Sequence, residues 1–328
     1  MSDAGPGRSC PLHYRYRPAD FAVPASAQCD VLYVVGGLYG NVQALQRVIA
    51  LFERERGAKR LVFNGDFHWF DVDPGAFAQI QRVVRAFDAT RGNVETELAD
   101  DGADDNAGCG CAYPDWVGDG VVERSNRIIE RLRGTARAVP GACGELAALP
   151  MWRRIDVGGA RVAVVHGDAE SLAGWGFAQE TLSDPAQRTV AQRWFDAAQV
   201  DVFASSHTCL PVFQSFARGA HSRFEPLVLN NGAAGMPNLA GAHEGLLVRI
   251  ATRAFDGRER RFGLRRGALH FDAIAIDYDD LAWRRDFLAQ WPAGSDAHTS
   301  YWARIADGTD HTLRDALRAS IEATTVEP

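Results

Sequence analysis

The chain has 328 residues, 46% of them hydrophobic, enough to bury a sizeable core in one large domain. Its formal net charge of -7 is spread along the chain without a basic patch, which argues against a nucleic-acid or anionic-membrane partner. The first residues lack the apolar segment of a signal peptide, no stretch approaches the length of a membrane span, and the six cysteines follow no disulfide or zinc-finger spacing, so a cytoplasmic protein with reduced thiols is expected.

The first apolar run, "VLYVV" (31–35), is short, β-branched and stopped by Gly36-Gly37, which predicts an interior strand. Asn41 then caps an amphipathic helix in which Val42, Leu45, Val48, Ile49 and Leu51/Phe52 share one face. A second run, "RLVFNG" (60–65), leads into a helix with Pro74 near its start, and a third junction falls at "ATRGN" (89–93). Such βαβ units imply right-handed crossovers and largely parallel strands, with all three turns at one edge of the sheet. Residues 97–119 are acidic and glycine-rich and read as a flexible insertion, with Cys109 and Cys111 as exposed thiols. A helix "GVVERSNRIIERLRG" follows, then a hairpin around Gly158-Gly159 whose second strand ends at His166. After the helical "DPAQRTVAQRWFDAAQV" comes "DVFASSHTC", another apolar strand ending in a histidine, His207. From 212 onward the stretches "PVFQSF", "PLVLNNGAAG", "GLLVRIAT" and "ALHFDAIAIDYD" are strand-like. The pattern predicts an α/β protein, a four-layer α/β/β/α sandwich of two mixed sheets flanked by helices. Residues 1–328 form a single domain on this reading, with a core over 30–275 and a C-terminal extension, 276–328, packing on it.

Asn41, Asp66, Asn93, His166 and His207 each follow an apolar strand, so the fold gathers them at the carboxyl edge of the sheets, where open α/β sheets bind ligands. One carboxylate, one amide oxygen and two imidazoles make a mixed N/O set suited to zinc, iron or manganese. Asn41 caps its helix, with a contact to substrate phosphate as its lesser role. Tyr39 and Trp69 are placed as pocket walls. His68, two residues after Asp66, is divided between the surface and the site.

In order along the chain, "GLYGN", "GD", "GNVE", "VVHGD" and "SHTC" resemble the five motifs of the calcineurin-like metallophosphoesterases: D-x-H, G-D, G-N-H-[DE], a histidine after an apolar strand, and G-H-x-H. "LNNGAAGMP" is similar to the strand and turn that follow the last motif, and the resemblance spans roughly residues 30–275. It implies a hydrolase of phosphoric esters in which Asp66 bridges two metals and Asp66, Asn93, His166 and His207 hold the second. The ligand positions of the first metal fall on Gly37, Tyr39 and Cys209, and the histidine that serves the leaving group falls on Val94. The resemblance therefore implies an altered or mononuclear centre: one divalent or trivalent Mn, Fe or Zn ion, or two if Tyr39 as phenolate and Cys209 as thiolate rebuild the first position. His68 would then be the catalytic donor, and Tyr39 and Asn41 would contact the substrate, a small phosphomonoester, phosphodiester or nucleotide. A lone ion polarises a phosphoryl oxygen and acidifies a bound water, but it does not clamp attacking and leaving oxygens as a pair ~3.5–4 Å apart does. The alternative is a catalytically degenerate member that binds a phosphorylated ligand or a protein partner.

Overall fold

The computed structural model describes residues 5–99 and 107–319. Strands β1 (Ala27–Cys29) and β2 (Val31–Val35) are followed by α1 (Val42–Arg54), β3 (Lys59–Asn64), α2 (Pro74–Val84), β4 (Asp88–Thr90) and α3 (Asn93–Ala99). Strands β2, β3 and β4 pair in parallel, as the βαβ reading requires, so their carboxyl ends share one edge. The period of two along β2 assigns its faces: Val31, Tyr33 and Val35 pack under the helices, while Leu32 and Val34 face the second sheet. Asn41 starts α1 by accepting the Ala44 N–H at 2.8 Å.

Helices α4 (Asp119–Ala138) and α5 (Ala142–Ala147) lead to the hairpin β5 (Trp152–Val157) and β6 (Ala160–Val165). Then come α6 (Pro185–Ala198), β7 (Val202–Ser205), β8 (Pro211–Ser215), β9 (Leu227–Asn231), β10 (Gly245–Ala251), β11 (Arg260–Arg266) and β12 (Leu269–Ile276).

 Strand β12, Leu269–Ile276, lies between β10 and β11, and the chain closes with α7 (Asp280–Gln290), α8 (Asp296–Asp307), α9 (Leu313–Ala316) and β13 (Leu317–Arg318). The strands form a six-stranded sheet, β11-β12-β10-β2-β3-β4, and a seven-stranded sheet, β1-β5-β6-β7-β9-β8-β13. An apolar layer with Leu32, Val62, Val162, Leu229 and Ile250 joins them face to face. Helices cover both outer faces, α1 and α2 on the first sheet and α6 on the second, which is the four-layer sandwich read from the sequence. In the second sheet β6 and β7 are parallel neighbours, so His166 and His207, just beyond their ends, emerge side by side.

Two features depart from expectation. Strand β11 escapes the sequence pattern because its arginines mask the alternation, and it is recruited by antiparallel pairing with β12. Cys109 and Cys111, expected as exposed thiols, are buried: Asn126 Oδ1 accepts the Cys109 N–H at 2.9 Å and draws the segment inward. Of the predicted insertion over 97–119, Glu97 and Leu98 belong to α3 and are buried, while residues 100–106 lie outside the described residues. Trp283, Phe287 and Ile305 of the C-terminal helices pack into the core cluster beneath α1 and α2. Among the described residues no helix is long and apolar enough to cross a membrane.

Candidate metal centre

Asp66, His166 and His207 each offer a ligand atom, and these atoms lie within 4.8 Å of one another. Around His166 Nε2 stand Asn93 Oδ1 at 3.2 Å, Asp66 Oδ2 at 3.3 Å and His207 Nδ1 at 3.2 Å. Four side chains from two sheets thus aim their acceptor atoms at one point. Close approach of the β3 and β4 turns is needed for this: a Cβ on Gly92 would lie 2.3 Å from Asp66 Oδ1.

The orientation of each ligand is set from behind. His166 Nδ1 donates to the Asn64 carbonyl at 2.9 Å, and His207 Nε2 donates to the Cys111 carbonyl at 3.1 Å, a carbonyl that also receives the Trp175 indole N–H at 2.9 Å. Asn93 Nδ2 donates to the Cys109 carbonyl at 2.9 Å, which turns its Oδ1 inward. Asp66 Oδ1 accepts the Val94 N–H at 3.2 Å. With their protons committed outward, both imidazoles present lone pairs to the centre, the arrangement by which supporting partners fix a ligand's tautomer. Four acceptors facing one another repel unless a cation or a proton lies between them. Tetrahedral ligands about 2.0–2.1 Å from a zinc-sized ion sit about 3.3 Å apart, which the three spacings around His166 Nε2 match.

Electrostatics agree with this. Burial disfavours a charged His166, but the Asp66 carboxylate, the hydrogen bond to it and the Asn64 carbonyl raise its pKa above the ordinary imidazole value. Burial likewise opposes charge on Asp66, yet His166, His207 and the Val94 N–H hold its carboxyl below the usual range. His207, desolvated and beside His166, is lowered to about 4 and is neutral at physiological pH. Without a metal, the raised pKa of His166 favours a proton there in the cation's place.

Glu95, whose role sequence reasoning missed, anchors the loop carrying Asp66. Its carboxylate is buried and accepts the backbone N–H groups of Asp66, Phe67 and His68 at 2.7, 3.0 and 3.3 Å and of Gly92 at 2.9 Å. Asp66 itself has φ 51°, a costly left-handed conformation for a non-glycine residue. Four of the five such residues described, Tyr39, Asp66, Ala112 and Cys209, lie in or beside the pocket, where the surrounding bonds hold the strain.

Solved structures of the same architecture support the fold. A metallophosphoesterase from Sphaerobacter thermophilus aligns over 85% of this chain and 100% of its own, with 14% identity and a TM-score of 0.54. A hypothetical protein from Pyrococcus horikoshii OT3 aligns over 85% of this chain and 99% of its own, with 14% identity and a TM-score of 0.52. The chain has the calcineurin-like metallophosphoesterase fold. No family profile and no curated protein matches the sequence.

In this metallophosphoesterase fold the positions expected to hold a first metal are closed. Tyr39 Oη and Cys209 Sγ lie 2.7 Å apart and satisfy each other. Burial raises both pKa values, which disfavours the phenolate and thiolate expected as ligands. At Gly37 the backbone has φ +65°, and a Cβ there would meet the Tyr39 ring at 2.8 Å. The tyrosine ring has taken the room of the missing side chain.

Two further expectations are overturned. His68 is buried away from the pocket: Nδ1 bonds Asp71 Oδ2 at 2.5 Å, Nε2 bonds Gln81 Oε1 at 3.1 Å, and the ring stacks on Phe77 at 3.6 Å. Although burial disfavours its charge, Asp71 raises its pKa, which makes it an ion-paired brace under α2 with no free nitrogen for a substrate. Asn41 contacts no substrate position either, since its Oδ1 caps α1 and its Nδ2 donates to the Gly235 carbonyl at 3.0 Å. Tyr39 and Trp69 do wall the pocket, joined by Tyr113, Trp175 and Tyr301, which no local sequence signal singled out. The pocket is small, about 60 Å³.

Proposed function

We propose that this protein is a metal-dependent phosphoric ester hydrolase working with a single transition-metal ion, Mn, Fe or Zn. The observation that carries the reading is the set of four acceptors, Asp66, Asn93, His166 and His207, with their protons turned outward. Bound there, such an ion supplies Lewis acidity toward a phosphoryl oxygen and makes water a stronger acid. The chain's own contribution is orientation: the Asn64, Cys109 and Cys111 carbonyls fix three ligands, and Glu95 fixes the loop of the fourth. Val94 and Trp69 exclude water from the floor of the pocket. With His68 turned away, the protic groups in the wall are the phenols of Tyr39, Tyr113 and Tyr301 and the thiols of Cys111 and Cys209. Burial disfavours the charged form of each, and Tyr39 and Cys209 are already paired with one another, so the wall is neutral. Its substrate is a small phosphate ester or nucleotide, and the six free thiols suit a reducing, cytoplasmic setting.

The closed first-metal side favours a second reading, a protein that holds one ion and binds a phosphorylated ligand without turnover. The two separate by metal analysis of the purified protein and by assay of 4-nitrophenyl phosphate and its bis-ester with added manganese, iron or zinc. One ion per chain, with turnover that disappears in Asp66→Asn, supports the hydrolase. An ion without turnover across a broad substrate panel supports the binding protein, and a protein that takes up no metal overturns both.

A further inference from the structure

We propose that the site selects monoanionic phosphodiesters bearing a flat aryl group, such as a nucleobase or a phenyl ring, over phosphomonoesters. This rests on the single-ion reading above.

Charge carries the first half. A divalent ion on Asp66, neutral Asn93 and two neutral imidazoles leaves one net positive charge at most. Among the described residues no lysine or arginine lines the pocket. Arg304, behind Cys209, donates to the carbonyls of Cys209 and Pro237, both at 2.8 Å, and does not line the pocket. A phosphodiester's single charge is matched there, whereas the second charge of a phosphomonoester would be desolvated without a partner.

Shape and chemistry carry the second half. Tyr39 and Trp69 are buried at the floor, and Tyr113, Trp175 and Tyr301 are half-buried around them, so apolar ring surface surrounds the metal position. The aromatic wall continues outward. Trp116, 64% exposed, stands edge-on to Trp175 with ring centroids 6.3 Å apart. An exposed tryptophan braced against a pocket-lining one is a stacking platform for a planar group that projects from the phosphoryl centre. In the phenyl esters the P–O bond that breaks releases an aryloxide, which leaves with little need of a proton and suits a pocket where Val94 stands in place of an imidazole.

The test uses inert ligands with the metal-loaded full chain, followed by tryptophan fluorescence and calorimetry. Diphenylphosphinate is an aryl monoanion, phenylphosphonate in mildly alkaline buffer an aryl dianion, and dimethylphosphinate a monoanion without rings. Diphenylphosphinate is expected to bind at least about tenfold more tightly than either of the others and to quench tryptophan emission. Trp116→Ala should weaken it about tenfold while metal content and thermal midpoint stay at wild-type values. Equal or tighter binding of phenylphosphonate overturns the charge argument, equal binding of dimethylphosphinate overturns the aromatic one, and no binding of diphenylphosphinate overturns the proposal. None of the three carries a scissile ester, so a protein without turnover can still pass this test; loss of the single-ion reading is seen separately, in the metal analysis.

Discussion

Around Asp66 the two sides of the pocket differ in where their protons go. On the side of Asn93, His166 and His207, every N–H points away to a backbone carbonyl, which leaves a cluster of bare acceptors that only a positive charge can reconcile. On the side of Gly37, Tyr39 and Cys209, a hydroxyl and a thiol are hydrogen-bonded to each other, and the thiol also reaches the His207 carbonyl. The comparison teaches that ligand loss need not leave a hole. Tyr39 and Gly37 are complementary in space, so the closed side is as well packed as the open side is polar.

The largest effect should come from the residue both sides share. Asp66→Ala removes the carboxylate that offsets the metal's charge, and its loss should exceed the about 10–100-fold weakening typical when a supporting partner is removed. Metal content after gel filtration and a chelator competition would measure it. An Asp66→Ala protein that keeps its ion at wild-type affinity would place the centre elsewhere.

The closed side can be challenged by rebuilding it. Gly37→Asp alone introduces a Cβ 2.8 Å from the Tyr39 ring at a φ of +65°, and should cost about 1–3 kcal/mol without adding an ion. Gly37→Asp combined with Tyr39→His and Cys209→His clears the ring and supplies three ligands, and should raise the metal count from one per chain to two. Elemental analysis of both variants decides it. A second ion in the single variant would mean that the tyrosine ring is not what closes this side.

Much of this was legible in the sequence because strand ends and ligand types are local facts. Asp66, Asn93, His166 and His207 each follow an apolar run, and parallel pairing does the rest. Less legible were the groups acting through the backbone. The carbonyls of Cys109 and Cys111 carry no side-chain signature, and their stretch reads as exposed loop because glycine and aspartate dominate it. The aromatic wall draws Tyr113, Trp175 and Tyr301 from three distant segments without periodicity. His68 was misread for the opposite reason: its position fits the site, but buried Asp71 claims its ring first, while Asn41 caps α1 as expected and only its lesser substrate role is lost.

On the open side the proton that stands in for a metal makes a measurable difference. His166 is raised by Asp66, so in metal-free protein it is protonated below that raised pKa, while His207, at about 4, is already neutral near pH 7. Metal binding below that raised pKa should release about one proton, and the number should fall toward zero as pH climbs through the His166 value. Calorimetry in buffers of different ionisation enthalpy counts it. Release of about two protons near neutral pH would mean that both imidazoles are charged in the metal-free site, against the outward hydrogen bond of His207.

The smallest effect is the most direct probe of the division. Tyr39→Phe deletes the phenol and breaks its contact with Cys209, whose thiol retains the His207 carbonyl at 3.3 Å as an acceptor. One hydrogen bond is lost and no buried donor is stranded, so chemical denaturation should register about 1 kcal/mol. Metal stoichiometry and affinity should not change. If Tyr39→Phe instead sheds the ion, the phenol is a ligand, the pair is not self-sufficient, and the two sides of the pocket form one centre rather than a filled half beside an open one.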